Sequence, residues 1–536
     1  MKTALVFSAA IVAGLVVGGA ARADYALTIL HTNDFHSRIE PINKYDSTCS
    51  AKDDQAGKCF GGSARFMTAI TQRRDAIRTS GGNVILLDGG DQFQGSLFYT
   101  RYKGKVAAEL MNRIGYDAMV VGNHEFDDGP KVLSDFINAI HFPILLANAD
   151  FSGEAALKDK LKGAVVIDVG GEKIGLIGVT AEDTGELSSP GKDVRFLDAV
   201  ATLKGAVQAF EAAGIDRIVV LSHSGYQRDK QLAALVPGID VIVGGHSHTY
   251  LANSDDKAEG PYPTFIDTPE GGKTAIVQAY AYGKFLGEVN VVWNDAGELV
   301  SAAGAPVLMD AGIAQDEGTS KRVAELAAPL DELRNQIVGR TSAPIDGSRD
   351  VCRKQECEMG DLVADAMLAR VRDQGIDIAI QNGGGLRASI DAGDVTMGEV
   401  LSVLPFQNTL ATFRLKGSDV LVALENGFSQ VEDVAGRFPQ VAGMKVVWDA
   451  ARPAGSRVVS VEVISGDGYV ALDREKLYGV VSNNYMRQGG DGYSVFAKAG
   501  RDAYDYGPNL EDVVADHIDK ANGYEPATDG RIRRMN

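Results

Sequence analysis

The sequence predicts an α/β protein with more than one domain, and two observations support that prediction. From Tyr25 to about Val292, short apolar segments of strand length alternate with amphipathic segments of helix length. This alternation is typical of layered α/β domains, in which helices cover the faces of a sheet. The chain has 536 residues, which is too long for a single hydrophobic core and implies at least two domains.

Seven apolar runs in the first part of the chain have the length of buried strands. They are Leu27–Leu30, Val84–Leu87, Ala118–Val121, Ile144–Ala147, Ile174–Val179, Ile218–Leu221 and Val241–Val243. Between several of them lie amphipathic stretches that we predict to be helices. These are Ala64–Ile77, Val106–Ile114 and Ala199–Ala213.

Between residues 319 and 338 the apolar pattern becomes helical. Apolar side chains recur there at steps of three or four, at Val323, Leu326, Leu330, Leu333 and Ile337. We therefore predict a connecting helix and hinge over residues 319–343, between a first domain at 24–318 and a second α/β domain at 344–536.

The composition is that of a globular protein, with 45% hydrophobic and 23% charged residues. The formal net charge of −19 argues against a nucleic-acid polymer as partner, because such a partner needs a basic surface. A small phosphorylated substrate remains compatible with this charge, because local arginines or metal ions can oppose the overall field.

Residues 1–23 have the features of a secretory signal peptide. Lys2 is followed by an apolar stretch of small residues, and Ala21-Arg22-Ala23 is a cleavage sequence of the A-x-A type before Asp24. A membrane anchor is the alternative. No later apolar run is long enough to span a bilayer and no hydrophobic tail ends the chain, so we expect a soluble protein exported to the periplasm or beyond, without stable membrane insertion.

The four cysteines form two local pairs that are far apart in the sequence. Because an exported chain meets an oxidising compartment, the disulfides Cys49–Cys59 and Cys352–Cys357 are favoured among the three possible pairings. A zinc site made from the four cysteines is the alternative, although the two pairs lack the short matched spacing of such sites.

Five strand ends in the first domain carry polar side chains of the kinds that bind metal ions, and five of the eight histidines lie in them. The five segments are Asp34-Phe35-His36, Asp88-Gly89-Gly90-Asp91, Gly122-Asn123-His124-Glu125, Ser222-His223-Ser224 and Gly245-His246-Ser247-His248. In open α/β sheets the carboxyl ends of the strands are where ligands bind. Aspartate, asparagine and histidine ligands suit zinc, manganese, cobalt or iron. There are too many ligands for one tetrahedral ion, which favours two ions that share a carboxylate, as in phosphatases and nucleases.

Taken together, these five segments resemble the motifs of the calcineurin-like metallophosphoesterases. The longer sequences around them are similar to the 5′-nucleotidase branch of that family. The resemblance implies a four-layer αββα first domain and two divalent ions, with zinc, manganese or cobalt as candidates. It implies one metal site from Asp34, His36, His248 and a bridging Asp91, and a second from Asp91, Asn123, His223 and His246. His124 and Asp127 would form a catalytic pair in which His124 faces the phosphate and Asp127 orients its imidazole. In the 5′-nucleotidase branch an amide side chain is frequent at the position of His248, so this histidine differs from the pattern of that branch.

The second domain contains three segments with features of a nucleotide site. Asn382-Gly383-Gly384-Gly385-Leu386-Arg387 follows an apolar run, and its glycines allow backbone N–H groups to approach an anion beside an arginine. Phe406 and Tyr493 each lie next to turn residues, where two aromatic rings could hold a base between them. Packing in the core is the alternative for each ring.

These segments resemble the substrate domain of 5′-nucleotidases, and the Cys352–Cys357 loop resembles that of the animal ecto-5′-nucleotidases. The resemblance implies that Arg353, Asn382, Gly384, Gly385, Arg387, Phe406 and Tyr493 bind substrate. It predicts an exported enzyme that hydrolyses nucleoside 5′-monophosphates such as AMP. The alternatives are a 2′,3′-cyclic phosphodiesterase and 3′-nucleotidase, a UDP-sugar hydrolase, and an inactive nucleotide-binding surface protein.

Overall fold

The computed structural model describes residues 24–44, 46–268, 271–466, 468–505 and 507–535. The predicted signal peptide, residues 1–23, lies outside the described residues. Of the helices in the described part of the chain, none is both long and apolar enough to cross a lipid bilayer.

The first domain contains fourteen strands and eight helices in the described residues. The strands are β1 (Tyr25–Thr32), β2 (Asn83–Asp88), β3 (Ala118–Val120), β4 (Ile144–Leu145), β5 (Ala149–Asp150), β6 (Ala164–Val169), β7 (Glu172–Thr180), β8 (Arg195–Phe196), β9 (Ile218–His223), β10 (Val241–Gly244), β11 (Thr264–Asp267), β12 (Lys273–Val277), β13 (Phe285–Trp293) and β14 (Leu299–Leu308). The helices are α1 (Ala51–Gln55), α2 (Ser63–Thr79), α3 (Leu97–Tyr102), α4 (Lys105–Ile114), α5 (Gly129–Ala139), α6 (Thr184–Leu187), α7 (Ala199–Ala212) and α8 (Tyr226–Leu235).

Two six-stranded sheets form the centre of this domain, in the orders β14-β13-β1-β2-β3-β4 and β11-β12-β10-β9-β7-β6. Successive side chains of a strand point to opposite faces, and β1 shows the consequence. Ile29 packs into a core shared with the second sheet, whereas Leu30 packs against helices α2, α4 and α5. Helices α7 and α8 cover the outer face of the second sheet, so the four-layer αββα prediction is confirmed.

The second part of the chain is also α/β. Two short helices, α9 (Glu317–Ala327) and α10 (Asp331–Arg334), precede it. Its strands are β15 (Ile337–Thr341), β16 (Ile378–Asn382), β17 (Gly393–Thr396), β18 (Leu410–Lys416), β19 (Pro439–Ala442), β20 (Met444–Trp448), β21 (Val458–Ser465), β22 (Gly468–Ala471), β23 (Leu477–Asn483), β24 (Arg501–Tyr504) and β25 (Ile532–Arg534). Its helices are α11 (Arg349–Cys352), α12 (Glu358–Val371), α13 (Met397–Val403), α14 (Gly417–Gly427), α15 (Asn484–Arg487), α16 (Ser494–Ala499) and α17 (Leu510–Ala521).

Two sheets organise the second domain, in the orders β19-β16-β23-β18-β24 and β22-β21-β20-β25. Strand β16 separates two cores. Ala379 faces the core that contains α12 and α17, whereas Ile378 and Ile380 face the core that contains Trp448. Strands β16 and β23 run parallel, so their carboxyl ends meet at one edge of the sheet.

The connecting segment differs from the prediction of one helix through residue 338. Helix α9 ends at Ala327, Pro329 lies in a 3₁₀ turn, and a strand already begins at Ile337. Proline lacks the N–H that an α-helix needs and breaks the pattern. Ile337 is 60% exposed, because residues 337–341 pair with β17 rather than form a helical face.

Both predicted disulfides, Cys49–Cys59 and Cys352–Cys357, are present, and the structure contains no free cysteine among the described residues. The second one closes a short loop between α11 and α12, and both of its cysteines are fully buried. This loop carries Arg353.

The core between the two sheets of the first domain makes a direct stability prediction. Leu176 on β7 is fully buried there, so Leu176→Ala removes buried methyl groups and leaves a cavity. We expect the free energy of unfolding to fall by about 3 kcal/mol in urea titrations followed by circular dichroism. Val166→Ala, on the exposed side of β6, is the control and should change it by no more than about 0.5 kcal/mol. Equal losses in the two variants would contradict the two-sheet core.

Candidate active site

The predicted metal ligands all lie at the carboxyl ends of five strands. Strands β1, β2 and β3 are parallel neighbours in one sheet, and β9 and β10 are parallel neighbours in the other. Their ends therefore meet at one edge of the two-sheet core. The residues placed there are Asp34, His36, Asp91, Asn123, His223, His246 and His248.

Three of these side chains form one group that could hold a metal ion, namely Asp34, His36 and His248. The Nε2 atoms of His36 and His248 are 3.1 Å apart, and His248 Nε2 lies 3.3 Å from a carboxylate oxygen of Asp34. All three residues are buried. Imidazole nitrogens and a carboxylate that converge in this way form a donor set suited to a divalent cation.

A second group consists of Asp91, His223 and His246, and Asn123 contacts it. The Oδ1 atom of Asn123 lies 2.8 Å from His246 Nδ1 and 3.2 Å from His223 Nε2. The amide oxygen is an acceptor and has no proton of its own to donate. It is therefore placed where it could complete the ligand set of a cation.

Asp91 links the two groups. Its Oδ2 atom lies 3.1 Å from His223 Nε2 in the second group and 3.8 Å from His36 Nε2 in the first. Its Oδ1 atom accepts the backbone N–H of His124. Asp91 therefore lies between the two groups, at the place where the resemblance implies a shared carboxylate.

The protonation states of the ligands suit metal binding. Burial lowers the pKa of His36, His246 and His248 well below the usual value, so these imidazoles are neutral and keep a free lone pair. For His223 burial also lowers the pKa, but the carboxylates of Asp91 and Asp34 outweigh it and raise the pKa to about 10. A divalent cation bound in this group would supply a positive charge beside the same two carboxylates.

Backbone hydrogen bonds fix the orientation of two ligand rings. His36 Nδ1 lies 3.0 Å from the carbonyl oxygen of Phe93, and His223 Nδ1 lies 2.6 Å from that of Gly89. When these nitrogens donate to the carbonyls, each ring presents Nε2 to its ligand group.

Five of the ligands have left-handed backbone conformations, which cost non-glycine residues about 1–3 kcal/mol each. They are Asp34, His36, Asp91, His246 and His248. Backbone hydrogen bonds between the loops offset part of this cost, including Asp34 N–H to Gly90 O at 2.9 Å and His36 N–H to Asp91 O at 2.9 Å. The strained loops are thus held in place by each other.

His124 lies beside the second group without belonging to either. Its Nδ1 lies 2.7 Å from Asp127 Oδ2, and Ser188 donates its hydroxyl to the other oxygen of Asp127 at 2.6 Å. Burial alone lowers the pKa of His124, but the carboxylates of Asp127 and Asp91 outweigh it and raise the pKa above its usual value. His124 is therefore a proton donor whose Nδ1 faces Asp127.

Glu125 follows His124 in one of the five strand-end segments, and the sequence predicted no role for it. Its buried carboxylate accepts four backbone N–H groups, from Asp91, Gln92, Phe93 and Gly122, at 2.7–3.1 Å. It therefore ties the loop after β2 to the loop after β3. A glycine is needed at 122, because a Cβ atom there would collide with the carboxylate of Asp91.

A cleft of about 690 Å³ runs from these ligands to the second domain. Six of the seven predicted substrate-binding residues line it, namely Arg353, Asn382, Gly384, Gly385, Arg387 and Phe406. The ring of Phe406 stacks on the imidazole of His124 with 5.6 Å between centroids. The two domains therefore meet across the cleft.

The prediction that Tyr493 binds substrate is wrong. Its ring is fully buried against Phe496, and its hydroxyl donates to the carbonyl oxygen of Arg437 at 2.7 Å. Another aromatic residue of the second domain, Tyr485, lines the cleft and lies two residues after strand β23. Its place after a strand end is the signal that could have identified it, since ligand sites gather at such ends.

The turn before Tyr493, Gly489-Gly490-Asp491-Gly492, reaches the cleft through Asp491. Asp491 accepts the Asn382 side-chain N–H at 2.6 Å and the Tyr485 hydroxyl at 3.1 Å. Arg349 is another cleft residue that sequence reasoning missed, and its Nη1 donates to the carbonyl oxygen of His246 at 3.4 Å. It stands near Arg353 and Arg387, so three arginines face the ligand groups.

Comparison with known proteins identifies the class. Residues 27–250 match the calcineurin-like phosphoesterase family, and residues 337–498 match the C-terminal domain of 5′-nucleotidases. The first match, together with the two ligand groups, defines a metal-dependent phosphomonoester hydrolase.

The relatives narrow the class to a family. The chain is 37% identical over 532 residues to the 5′-nucleotidase of Diplobatis ommata, a match that covers 95% of this chain and 90% of that protein. The solved 5′-nucleotidase precursor of Thermus thermophilus is 41% identical, with a TM-score of 0.90 and coverage of 96% of this chain and 100% of that one. The NAD nucleotidase of Haemophilus influenzae is 27% identical, with a TM-score of 0.58 and coverage of 96% and 99%. The chain belongs to the 5′-nucleotidase family.

The bonds of Glu125 predict a coupled loss of stability and metal. In Glu125→Gln one acceptor oxygen becomes an NH₂ group that faces backbone N–H donors, so we expect the free energy of unfolding in urea to fall by about 2 kcal/mol. Because Asp91 and Asn123 lie on the two loops, bound zinc or manganese measured by mass spectrometry should also fall. Asp135→Asn, at an exposed helical ion pair, is the control and should change neither quantity. Full metal content in Glu125→Gln would argue against this positioning role.

Proposed function

We propose that this enzyme is exported and hydrolyses nucleoside 5′-monophosphates such as AMP to nucleoside and phosphate with two divalent ions. The observation that carries the proposal is the shared cleft. Two ligand groups joined by Asp91 lie at one end, and two aromatic side chains, Phe406 and Tyr485, line the same cleft. A phosphate at the ligand groups and a base at the aromatic rings would belong to one substrate.

In this proposal the ligand groups act as two metal sites. Asp34, His36 and His248 would hold one ion and Asn123, His223 and His246 the other, with Asp91 available to both. This donor set suits zinc, manganese and cobalt and does not select one of them. When bound, such ions neutralise phosphoryl charge and increase the acidity of water.

His124 serves as the acid for the leaving group. Its Nδ1 proton is held by Asp127, so Nε2 is the atom available to the substrate. The carboxylates that raise its pKa favour the protonated imidazolium, which stabilises negative charge and gives its Nε2 proton to the departing 5′-oxygen. Asp127 acts through His124 and is in turn held by Ser188.

The second domain binds the nucleotide. Arg353 and Arg387 offer forked donors to the phosphate, and Asn382, oriented by Asp491, faces the ribose. Gly384 and Gly385 allow the backbone to approach the substrate closely. Phe406 and Tyr485 stack on the base, because every base has a π face.

We also propose the domain limits and a movement between the domains. The catalytic domain covers residues 24–318, the connector residues 319–343 and the nucleotide-binding domain residues 344–536. With Phe406 stacked on His124, a nucleotide reaches the ligand groups only after the domains separate, which makes the connector a hinge.

A substrate panel tests the function. Purified protein loaded with zinc, manganese or cobalt is offered AMP, 3′-AMP, 2′,3′-cyclic AMP, UDP-glucose and NAD, and released phosphate is measured. We expect AMP to have the highest kcat/KM. His124→Ala should lower turnover of AMP about 10²–10⁴-fold at unchanged metal content, which assigns the activity to this site. Preference for another compound, or no phosphate from any of them, would overturn the proposal.

The aromatic pair predicts a base-dependent effect. Stacking is worth about 1–3 kcal/mol per base, so Tyr485→Ala should raise the KM for AMP about tenfold. With p-nitrophenyl phosphate in place of a nucleotide it should have little effect. Tyr485→Phe retains the ring and is the control, with a KM for AMP near that of the wild type. An equal loss with both substrates would show that Tyr485 shapes the site and does not bind the base.

A further inference from the structure

The guanidinium of Arg353 makes few contacts of its own. Arg353 lies in the loop that the Cys352–Cys357 disulfide closes. Its Nη1 donates to the carbonyl oxygen of Val434 at 3.5 Å, which is a long hydrogen bond, and its Nε is buried without a hydrogen-bond partner among the described residues. The position of this arginine in the cleft therefore depends on where the backbone of the loop lies.

Gln440 on strand β19 attaches the loop to the sheet. Its Nε2 donates to the carbonyl oxygens of Cys352 at 2.9 Å and Gln355 at 2.8 Å, and its Oε1 accepts the N–H of Cys357 at 3.3 Å. One fully buried amide thus uses both of its donors and its acceptor oxygen on the start, the middle and the end of the loop. The disulfide restricts the shapes that the loop can adopt, whereas Gln440 fixes its place on the domain.

The same strand also holds the glycine segment that leads to Arg387. Strand β19 pairs with β16, and Gly383, directly after β16, donates its N–H to the carbonyl oxygen of Phe438 at 2.8 Å. A Cβ atom at Gly383 would lie only 2.3 Å from the carbonyl oxygen of Cys352, so the loop and the glycine segment are in close contact. Both segments that carry a proposed phosphate-binding arginine are therefore held against β19.

The side chain of Gln440 has little room to move. A Cβ atom at Gly360, in the first turn of α12, would lie 2.4 Å from its amide, so only a glycine leaves space for it there. The described residues that line the cleft do not include Gln440. Any effect of Gln440 on a ligand in the cleft is therefore exerted through the loop.

We propose that Gln440 is a positioning residue for phosphate binding, which holds the disulfide loop so that Arg353 faces the phosphate. This inference rests on the proposed function, in which Arg353 binds that phosphate. Without the amide of Gln440, two carbonyl groups and one N–H group of the loop lose their partners. Because unpaired buried polar groups are unfavourable, the loop shifts to satisfy them and carries Arg353 away from its position.

Inhibition by inorganic phosphate tests this role. Purified enzyme loaded with zinc hydrolyses p-nitrophenyl phosphate, and the inhibition constant of phosphate is measured for Arg353→Ala, Gln440→Met and the double variant. Methionine has a similar length but lacks the amide. We expect Arg353→Ala to raise the inhibition constant at least about tenfold and Gln440→Met about three- to tenfold, at unchanged zinc content. In the Arg353→Ala background, Gln440→Met should change it less than about twofold, because the side chain that it positions is absent.

A second variant moves the amide of Gln440 without removing it. Gly360→Ala places a Cβ atom against that amide and favours the helix in which it lies. It should raise the inhibition constant in the same direction as Gln440→Met, and this effect should also disappear in the Arg353→Ala background.

A matched control separates positioning from a general loss of stability. Glu425 accepts the backbone N–H groups of Arg457 and Val458 at 2.8 Å each, and this contact lies outside the cleft lining. Glu425→Met should lower the midpoint of urea unfolding, as Gln440→Met does, but keep the inhibition constant of phosphate within about twofold of the wild type. An equal rise of that constant in Glu425→Met would overturn the positioning role.

The remaining outcomes distinguish this inference from the proposed function. If Arg353→Ala raises the inhibition constant but Gln440→Met and Gly360→Ala do not, the positioning role is wrong and the phosphate role of Arg353 stands. Equal effects of Gln440→Met with and without Arg353 would also overturn it, because Gln440 would then act by another route. If Arg353→Ala itself has no effect, the proposed phosphate role of Arg353 fails, and the positioning role fails with it.

Discussion

The arrangement of the catalytic domain depends on one buried carboxylate, that of Asp91. It stands between two groups of imidazoles, 3.1 Å from His223 and 3.8 Å from His36, and its other oxygen holds the backbone of His124. A carboxylate buried without compensation is strongly unfavourable, so this position demands positive charge on both sides. The loops around it are held by further contacts: Asp91 itself has a left-handed backbone, and the carboxylate of Glu125 accepts four backbone N–H groups from the two loops.

The second domain supplies what the metal groups lack. The first domain brings the oxygen and nitrogen atoms of the ligand groups, and the second adds Arg349, Arg353 and Arg387 together with Phe406 and Tyr485. Helix α11 and the Cys352–Cys357 loop place Arg349 and Arg353 next to the ligand groups, and β16 ends at Asn382 in the same cleft. In the proposed function, substrate recognition and phosphate chemistry therefore lie on different domains, and the cleft lies where the two domains meet.

Two parts of the prediction failed for the same physical reason. The apolar spacing through Ile337 is compatible with a helix, but pairing with β17 makes residues 337–341 a strand. Likewise Tyr493 lies beside a glycine turn, but the turn directs Asp491 to the cleft and the tyrosine ring into the core. Short-range patterns describe what a segment can do, whereas contacts with distant residues select one outcome.

The sequence by itself predicted the α/β class, the gathering of the seven proposed metal ligands at one edge, the pairing of the cysteines and the position of His124 beside Asp127. These follow from local order, because ligands directly after strands are carried to one edge by the parallel sheet and cysteines close in sequence pair readily. Only the tertiary structure decided the role of Glu125, the presence of Tyr485 and not Tyr493 in the cleft, and the meeting of Arg349, Arg353 and Arg387 there. Each of these joins residues that are distant in the chain, and their distances are set by the packing of two sheets and two domains.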